Sequence, residues 1–226
     1  CSAVTIGRYF PICLIPRYCY LTILWSKPRS LLPVKIALVH KRLDLKGGTE
    51  RDLYKTAEGL RDLGHEVHLF CSEFGVAAPE GTQAHEIAVV PFGRTAKMLS
   101  FAALAPRVIA QVGCDVTVSF GRMVEQDVLR SGGGTHRGFL QRLAQEGGLR
   151  RRLWQRLSIY HRALLAIEKR QFEPGRVKSI IAVSDEVKRD IVAQYSVDPR
   201  RINVLYNGVD ALRFYAEAGW GQSSLD

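Results

Sequence analysis

Between residues 35 and 206 the chain alternates short apolar runs with longer amphipathic stretches. Ile36-Ala37-Leu38-Val39 is a continuous apolar run, as expected of a strand covered by helices on both faces. A polar loop follows, and Gly47-Gly48-Thr49 opens a stretch in which Leu53, Ala57 and Leu60 recur at helical spacing. Gly64 stands where a left-handed helix end is expected, and Val67-His68-Leu69-Phe70 begins the next strand. Residues 85–90 predict a third strand, stopped by Pro91. Met98, Phe101, Ala105, Val108 and Val112 mark one face of a helix closed by Gly113. Residues 115–120 and 127–130 predict two more strands, joined by a loop over 121–126. Gly132-Gly133-Gly134 reads as a turn. A long helix is predicted over 149–172, with Leu149, Leu153, Leu157, Tyr160, Leu164 and Ile167 on one stripe and Pro174-Gly175 at its end. Residues 179–183 form the next strand, and Ser184 caps a helix that carries Asp185 and Glu186 in its first turn and ends near Tyr195. Residues 201–206 give the last strand, after which Asn207-Gly208 turns the chain outward.

Strands alternating with helices predict an α/β fold, a Rossmann-like, doubly wound and mostly parallel sheet with right-handed crossovers. This domain spans residues 34–210. Residues 1–33 read as an extension outside it, and 211–226 as a tail without strand pattern. The apolar run Phe10 to Trp25 is broken by Pro11, Pro16 and Arg17 and is short for a membrane span. It also lacks the basic start and small-residue cleavage site of a signal peptide. An interfacial anchor is the alternative reading of this segment.

Composition adds little to that picture, but charge and cysteine usage change it. With 46% hydrophobic residues in 226, the chain has ample material for a core. Its net charge of +10 is concentrated: residues 137–170 hold eight arginines and Lys169 against Glu146 and Glu168, and residues 1–34 hold four cations and no acid. The five cysteines (Cys1, Cys13, Cys19, Cys71 and Cys114) form no C-x-x-C pair. Free thiols in a reducing compartment are expected of them, and hence a cytoplasmic location.

Three constellations could carry chemistry. The Gly47-Gly48-Thr49 turn leaves backbone N–H groups at a helix N-terminus free to meet an anion. It is not the G-x-G-x-x-G dinucleotide fingerprint, so Glu73 as a ribose-binding acid gives a nicotinamide cofactor little support. The second, Asp127 to His136 (DVLRSGGGTH), would bring backbone close to a ligand, with His136 beyond the glycines able to bond a sugar hydroxyl or phosphate. A plain mobile loop is the competing reading. In the third, Arg150, Arg151, Arg152 and Arg156 flank the apolar stripe of the long helix. Such a face suits an anionic membrane surface, where each cation contributes roughly 1 kcal/mol, or it is simply a solvated helix face. Nucleic acid would also accept the charge, but neither a motif nor interleaved aromatics accompany it, and no nucleic-acid partner is expected. The chain has no H-x-x-x-H, G-x-S-x-G or G-x-x-x-x-G-K-[ST] motif, so metal hydrolysis, α/β-hydrolase chemistry and P-loop transfer have no support.

In order, KIALV with GGTERD, GHEVHLF, DVTVSF, SGGGTHRGFL, SIIAVSDEVKRDI and RINVLYNGVD resemble the N-terminal half of the retaining glycosyltransferases of family 4, which have the two-domain GT-B fold. IEKRQFEPGR before SIIAVS looks closest to the glucosyltransferases of lipopolysaccharide core assembly. The resemblance implies transfer of a hexose from a UDP- or GDP-linked sugar to a lipid-linked saccharide, without a metal. It places the nucleotide-sugar mainly on a C-terminal domain whose donor-binding Arg/Lys pair and E-x7-E motif have no counterpart here, so a truncated or split enzyme, inactive alone, is expected. It puts Gly47, Gly48 and Thr49, with Gly133 and Gly134, beside the diphosphate and acceptor, His136 against the transferred sugar, and Asn207 and Gly208 at the hinge. Close relatives often carry an acid at the centre of the glycine loop, where this chain has Gly133, which leaves Asp127 as the substitute. A non-catalytic remnant that binds membrane surfaces is the alternative to an enzyme.

Overall fold

The computed structural model describes residues 32–146 and 157–208. The described elements are β1 (Lys35–Val39), α1 (Gly48–Asp62), β2 (Glu66–Cys71), β3 (Gln83–Glu86), α2 (Gly93–Val112), β4 (Val116–Ser119), β5 (Val128–Ser131), α3 (His136–Glu146), α4 (Ile159–Gln171), β6 (Ser179–Ala182), α5 (Asp185–Tyr195) and β7 (Ile202–Val204). All seven strands pair in parallel, in the order β3-β2-β1-β4-β5-β6-β7. The chain therefore winds outward from β1 to β3, crosses back, and builds the other half from β4. The crossing point lies between β1 and β4, where an open α/β sheet leaves a crevice at its carboxyl edge.

The side-chain period of two explains how one apolar strand serves two helical layers. Ile36 and Leu38 of β1 pack with Leu53 and Ala57 of α1 on one face. Ala37 and Val39 pack with Phe101, Ala105 and Ile109 of α2 on the other. A third cluster joins Ile180 and Ala182 of β6, Ile202 of β7, and Val187 and Ile191 of α5. Gly64 and Gly113 take the left-handed conformation after α1 and α2, with φ of 89° and 69°. Ser184 caps α5, its hydroxyl accepting from the Val187 N–H at 3.2 Å.

The structure departs from the sequence reading in three places. β3 lies at 83–86 and not 85–90, pairing His68–Cys71 of β2 with Gln83–Glu86 and leaving Ile87 buried just beyond the ladder. The long helix does not run unbroken from 149 to 172. α4 begins at Ile159, with the Ser158 hydroxyl as its cap, so Leu157 is exposed and not on the buried stripe. Finally, α3 occupies a stretch that was not expected to be helical. The arginines 150–152 and Arg156, with Leu149 and Leu153, lie outside the described residues, as do the expected extension at 1–33 apart from positions 32 and 33, and the tail at 211–226.

Candidate functional site

The two glycine segments meet at the carboxyl edge of the sheet. Gly47 and Gly48 follow β1, and Gly132 to Gly134 follow β5. A Cβ added at Gly132 would come within 3.3 Å of the Thr49 hydroxyl, so the two loops approach closely enough that a side chain there would make Thr49 give way. A cavity of about 160 Å³ lies there, walled by Thr49, Gly121, Arg122, Arg130 and Gly132 to Gly134. Gly121 and Arg122, just after β4, also line a larger neighbouring cavity of about 660 Å³. Gly47 belongs to the wall of this second cavity, together with His40, Glu50 and the first turns of α2. The larger cavity sits at the crossing point between β1 and β4, and the smaller one beside it, over β4 and β5.

The two helix N-termini behind these loops differ. α1 has no side-chain cap at Gly47, which is in extended conformation. The first amides of a helix need partners; the nearest acid is Glu50 of the first turn, whose Oε2 would lie 2.1 Å from a Cβ at Gly47 and which shares the wall of the larger cavity. At α3 every such amide is already taken. The Asp190 carboxylate accepts from the Thr135 N–H at 2.5 Å, and the Thr135 hydroxyl accepts from the Gly138 N–H at 2.9 Å. The Glu168 carboxylate accepts from the N–H groups of His136 and Arg137 at 2.6 and 3.0 Å. Gly134 and Gly138 keep room for Asp190, whose carboxylate oxygens would lie 2.9 and 2.3 Å from a Cβ at those positions.

Glu168 is fully buried and is also bonded by Arg122 and by the Tyr195 hydroxyl. Burial alone would push its carboxyl up. The Arg122 guanidinium and the donated hydrogen bonds outweigh that, and its pKa falls below the ordinary carboxylate value. Tyr195 is pushed up in turn, by burial and by its bond to Glu168. This carboxylate therefore ties together α3, α4, α5 and the Arg122 side chain that walls both cavities.

His136, expected against the transferred sugar, is packed among its neighbours. It is the first residue of α3, its Nε2 lies 3.0 Å from His161 Nδ1, and its ring stacks on Phe139 and His161. Neither cavity is walled by it. Burial and the neighbouring Arg122 lower its pKa to about 4, so the imidazole is neutral at pH 7. Asp127 lies away from the glycine loop. It precedes β5 at the amino edge of the sheet, about 16 Å of extended strand from Gly132. There it accepts from the Thr117 N–H and pairs with Lys178 at 2.7 Å. Gly133 is open, with nothing within 4 Å of an added Cβ.

Asn207 and Gly208 follow β7. The Asn207 carbonyl oxygen accepts from Arg130 Nη2 at 2.5 Å, while Arg130 Nε pairs with Asp52 of α1 at the same distance. Arg130 is buried within β5, so one guanidinium links α1, the sheet and the segment expected to act as a hinge. His40 closes the carboxyl end of β1, buried, with Nε2 3.4 Å from Glu50 and its pKa lowered by burial. Sequence reasoning passed over Glu168, Arg122, Arg130 and His40. Only Thr135 announced itself locally, as a threonine three residues before a helical amide it could cap.

Residues 46–213 match the family described as Glycosyltransferase Family 4. The chain belongs to glycosyltransferase family 4. It is 23% identical over 171 residues to the lipopolysaccharide glucosyltransferase WaaG of Escherichia coli K12, a match covering 76% of this chain and 44% of that protein. It is 27% identical over 183 residues to a probable transglycosylase of Burkholderia thailandensis, covering 79% of this chain and 46% of that protein. The crystal structure of WaaG, a glycosyltransferase involved in lipopolysaccharide biosynthesis, superposes with a TM-score of 0.70 at 22% identity, over 80% of this chain and 47% of that one. The fold is thus one Rossmann-like half of the GT-B architecture, and this family 4 chain spans less than half the length of the curated relatives it matches. Among the described residues, no helix is long and apolar enough to cross a membrane, and no group of three or more His, Cys, Asp or Glu is placed to hold a metal.

Proposed function

We propose that this chain is the acceptor-side half of a retaining hexosyltransferase. It would work with a donor-binding domain that holds a UDP- or GDP-linked sugar, and pass the hexose to a lipid-linked saccharide such as lipopolysaccharide core at the cytoplasmic face of a membrane. The observation that carries the reading is the convergence of the β1–α1 and β5–α3 glycine segments on one crevice, beside the uncapped N-terminus of α1, in a family 4 fold. Gly47, Gly48 and Thr49 would border the diphosphate, whose charge the amides and helix dipole favour. Arg122, held by Glu168, would add a fixed cation where negative charge develops on the leaving group. Gly133 and Gly134 would let the sugar lie close to backbone. His136 would act by anchoring α3 behind the loop, and Asn207 with Gly208 would form the hinge.

Calorimetry with UDP-glucose and GDP-mannose tests this division of labour, on the chain alone and then joined to a donor-binding domain. Binding is expected only in the second case. Tight binding by the chain alone would overturn the division, and no binding in either case would overturn the transferase reading.

A second reading, a module that binds anionic membrane surfaces without catalysis, is favoured by exposed Phe92, Leu157 and Ile159. Arg94 lies 4.7 Å over the Tyr160 ring, which brings the start of α2 and the start of α4 together with these apolar side chains. Aromatic and aliphatic tips beside cations suit the interfacial region of a bilayer. Sedimentation with anionic vesicles should fall when Arg150, Arg151 and Arg152 are replaced by Gln. Unchanged sedimentation would remove the arginine cluster from the account.

A further inference from the structure

The larger cavity is more basic than a neutral sugar needs. Its wall carries six cations, Lys41, Arg42, Lys46, Arg94, Lys97 and Arg122, against the carboxylates of Asp44, Glu50 and Glu73. Two of the cations are already committed. Arg42 Nη2 is held by both oxygens of Glu73 at 2.8 Å, with Nη1 3.2 Å from Asp44, and Arg122 is held by Glu168. Among the described residues, the other four have no carboxylate within ion-pair distance. Four such cations outweigh the Glu50 carboxylate, which only His40 approaches at 3.4 Å, and a cleft with an excess of one sign of charge concentrates the opposite charge.

These four cations divide by position. Lys41 and Lys46 belong to the β1–α1 turn, next to the amides of Gly47 and Gly48. Arg94 and Lys97 stand one turn apart on α2, a separate wall. Arg94 lies 4.7 Å over the Tyr160 ring, and a ring face attracts a cation without neutralising it. Met98, Phe101 and Leu164 supply apolar wall beside the α2 pair. The volume of about 660 Å³ is that of a small-molecule site. Apolar surface beside two unpaired cations suits a ligand that lays the C–H face of a sugar ring on Met98, Phe101 and Leu164 and carries a compact anionic group.

We propose that the acceptor taken up by this cavity is a phosphorylated saccharide, with its phosphate seated between Arg94 and Lys97. The proposal rests on the acceptor-side reading above and adds the chemical class of the acceptor. Lys97 serves as a point charge and Arg94 as a fork for two phosphate oxygens. Lys46, at the other wall, is left for the donor diphosphate. A phosphate on a lipid headgroup would meet the same two cations, so the experiment separates the two sources.

The chain is titrated at low ionic strength with glucose 6-phosphate, glucose and inorganic phosphate, and in parallel with phosphatidylglycerol vesicles. Glucose 6-phosphate is expected to bind at least about tenfold more tightly than glucose, the effect of roughly one close charge pair at a partly exposed site. The double variant Arg94→Gln/Lys97→Gln should abolish that preference, and Arg94→Lys/Lys97→Arg should keep most of it. Lys178→Gln, at the opposite edge of the sheet, should leave it unchanged. Equal affinity for glucose and its phosphate overturns the proposal, as does a preference that survives the double Gln variant. Inorganic phosphate binding as tightly as the sugar phosphate overturns the saccharide part. Vesicle binding lost in the double variant, with no sugar-phosphate binding in the parent chain, assigns the pair to a lipid headgroup. Failure of nucleotide-sugar binding in the joined protein is a separate result: it removes the transferase reading and leaves the sugar-phosphate measurement standing.

Discussion

Glu168→Gln is the sharpest perturbation the structure offers. The carboxylate accepts hydrogen bonds from two backbone amides, a tyrosine hydroxyl and a guanidinium, at a fully buried position. Glutamine keeps the shape but removes the charge and turns one acceptor into an NH2 donor facing other donors. Each bond to a charged acceptor contributes about 1.5–3 kcal/mol, and breaking a buried ion pair from one side costs about 3–5 kcal/mol. Arg122 is a third exposed and can recover water, which discounts its share. The two amides cannot, because α3 holds them against α4. A loss of about 3 kcal/mol is therefore expected, a large part of the stability of a domain this size. Urea unfolding followed by far-ultraviolet circular dichroism measures it, with amide exchange at His136 and Arg137 as the local readout. A pH series checks the electrostatic origin. The folded pKa of Glu168 lies below the ordinary 4.5, so its contribution is complete above about 4.5 and is lost as pH falls through the lowered value. The parent chain should lose stability more steeply than the Gln variant over that acid range. A cost below about 1 kcal/mol, as for a surface pair, would refute the claim that this carboxylate holds the glycine loop in place.

The remaining predictions concern the same frame. Gly138→Ala places a Cβ 2.3 Å from an Asp190 oxygen and dislodges the carboxylate that caps Thr135, costing about 1–2 kcal/mol, whereas Gly133→Ala meets nothing and should stay within about 0.5 kcal/mol. Thermal melts of the two variants decide the comparison. Arg130→Lys should weaken the fold almost as much as Arg130→Met, because one ammonium cannot reproduce the fork to Asp52 and Asn207. A melt in which Lys restores the parent stability would exclude the bridging role. His136, followed by NMR, should titrate near 4 and not at 6.5. Because the unfolded chain then binds the extra proton between those values, stability should rise with pH across that window, and His136→Phe should flatten the rise.

The sheet was legible because its information is local. Ile36 to Val39 must be covered on both faces, and a four-residue apolar strand followed by a glycine-led amphipathic helix has few other solutions. The glycine ends of α1 and α2 and the serine cap of α5 read the same way. The misreadings arise where local signals are weak or distant partners decide. α3 starts directly after three glycines, and three of its first four amide partnerships depend on Asp190 and Glu168, 31 to 55 residues further along. Nothing in SGGGTHRGFL announces them. For the same reason His136 looked free, although its ring is occupied by His161. Asp127 shows why sequence distance is a poor guide: it is five residues from Gly132, but an extended strand carries the two to opposite edges of the sheet.

The two glycine segments look alike as strings, and their difference in the fold bears on which of them would meet the proposed diphosphate. Both bring backbone to the carboxyl edge of the sheet, and both precede a helix whose dipole favours an anion. An anion at α3 would have to displace two buried carboxylates and would face their charge. α1 has no capping side chain; the acid in its first turn, Glu50, packs one carboxylate oxygen over Gly47 and brings the other within 3.4 Å of His40. An anion there would have one loosely held carboxylate to displace, and not two that already hold backbone amides. On the proposed reading, a diphosphate would therefore be received at Gly47-Gly48 and not at the amides of α3. The β5–α3 segment is left a different role: with α3 locked by Glu168 and Asp190, Gly132 to Gly134 form a fixed, side-chain-free wall against which a neutral sugar ring can lie. Charge at one loop and bare backbone at the other are the complementary needs of a sugar joined to a diphosphate. Reversing the arrangement tests it directly. Asp190→Asn should leave α3 less firmly capped without creating a second phosphate site, because Glu168 still holds its amides. Tighter nucleotide-sugar binding in that variant, with the donor domain joined, would mean that α3 and not α1 is the end that receives the phosphates.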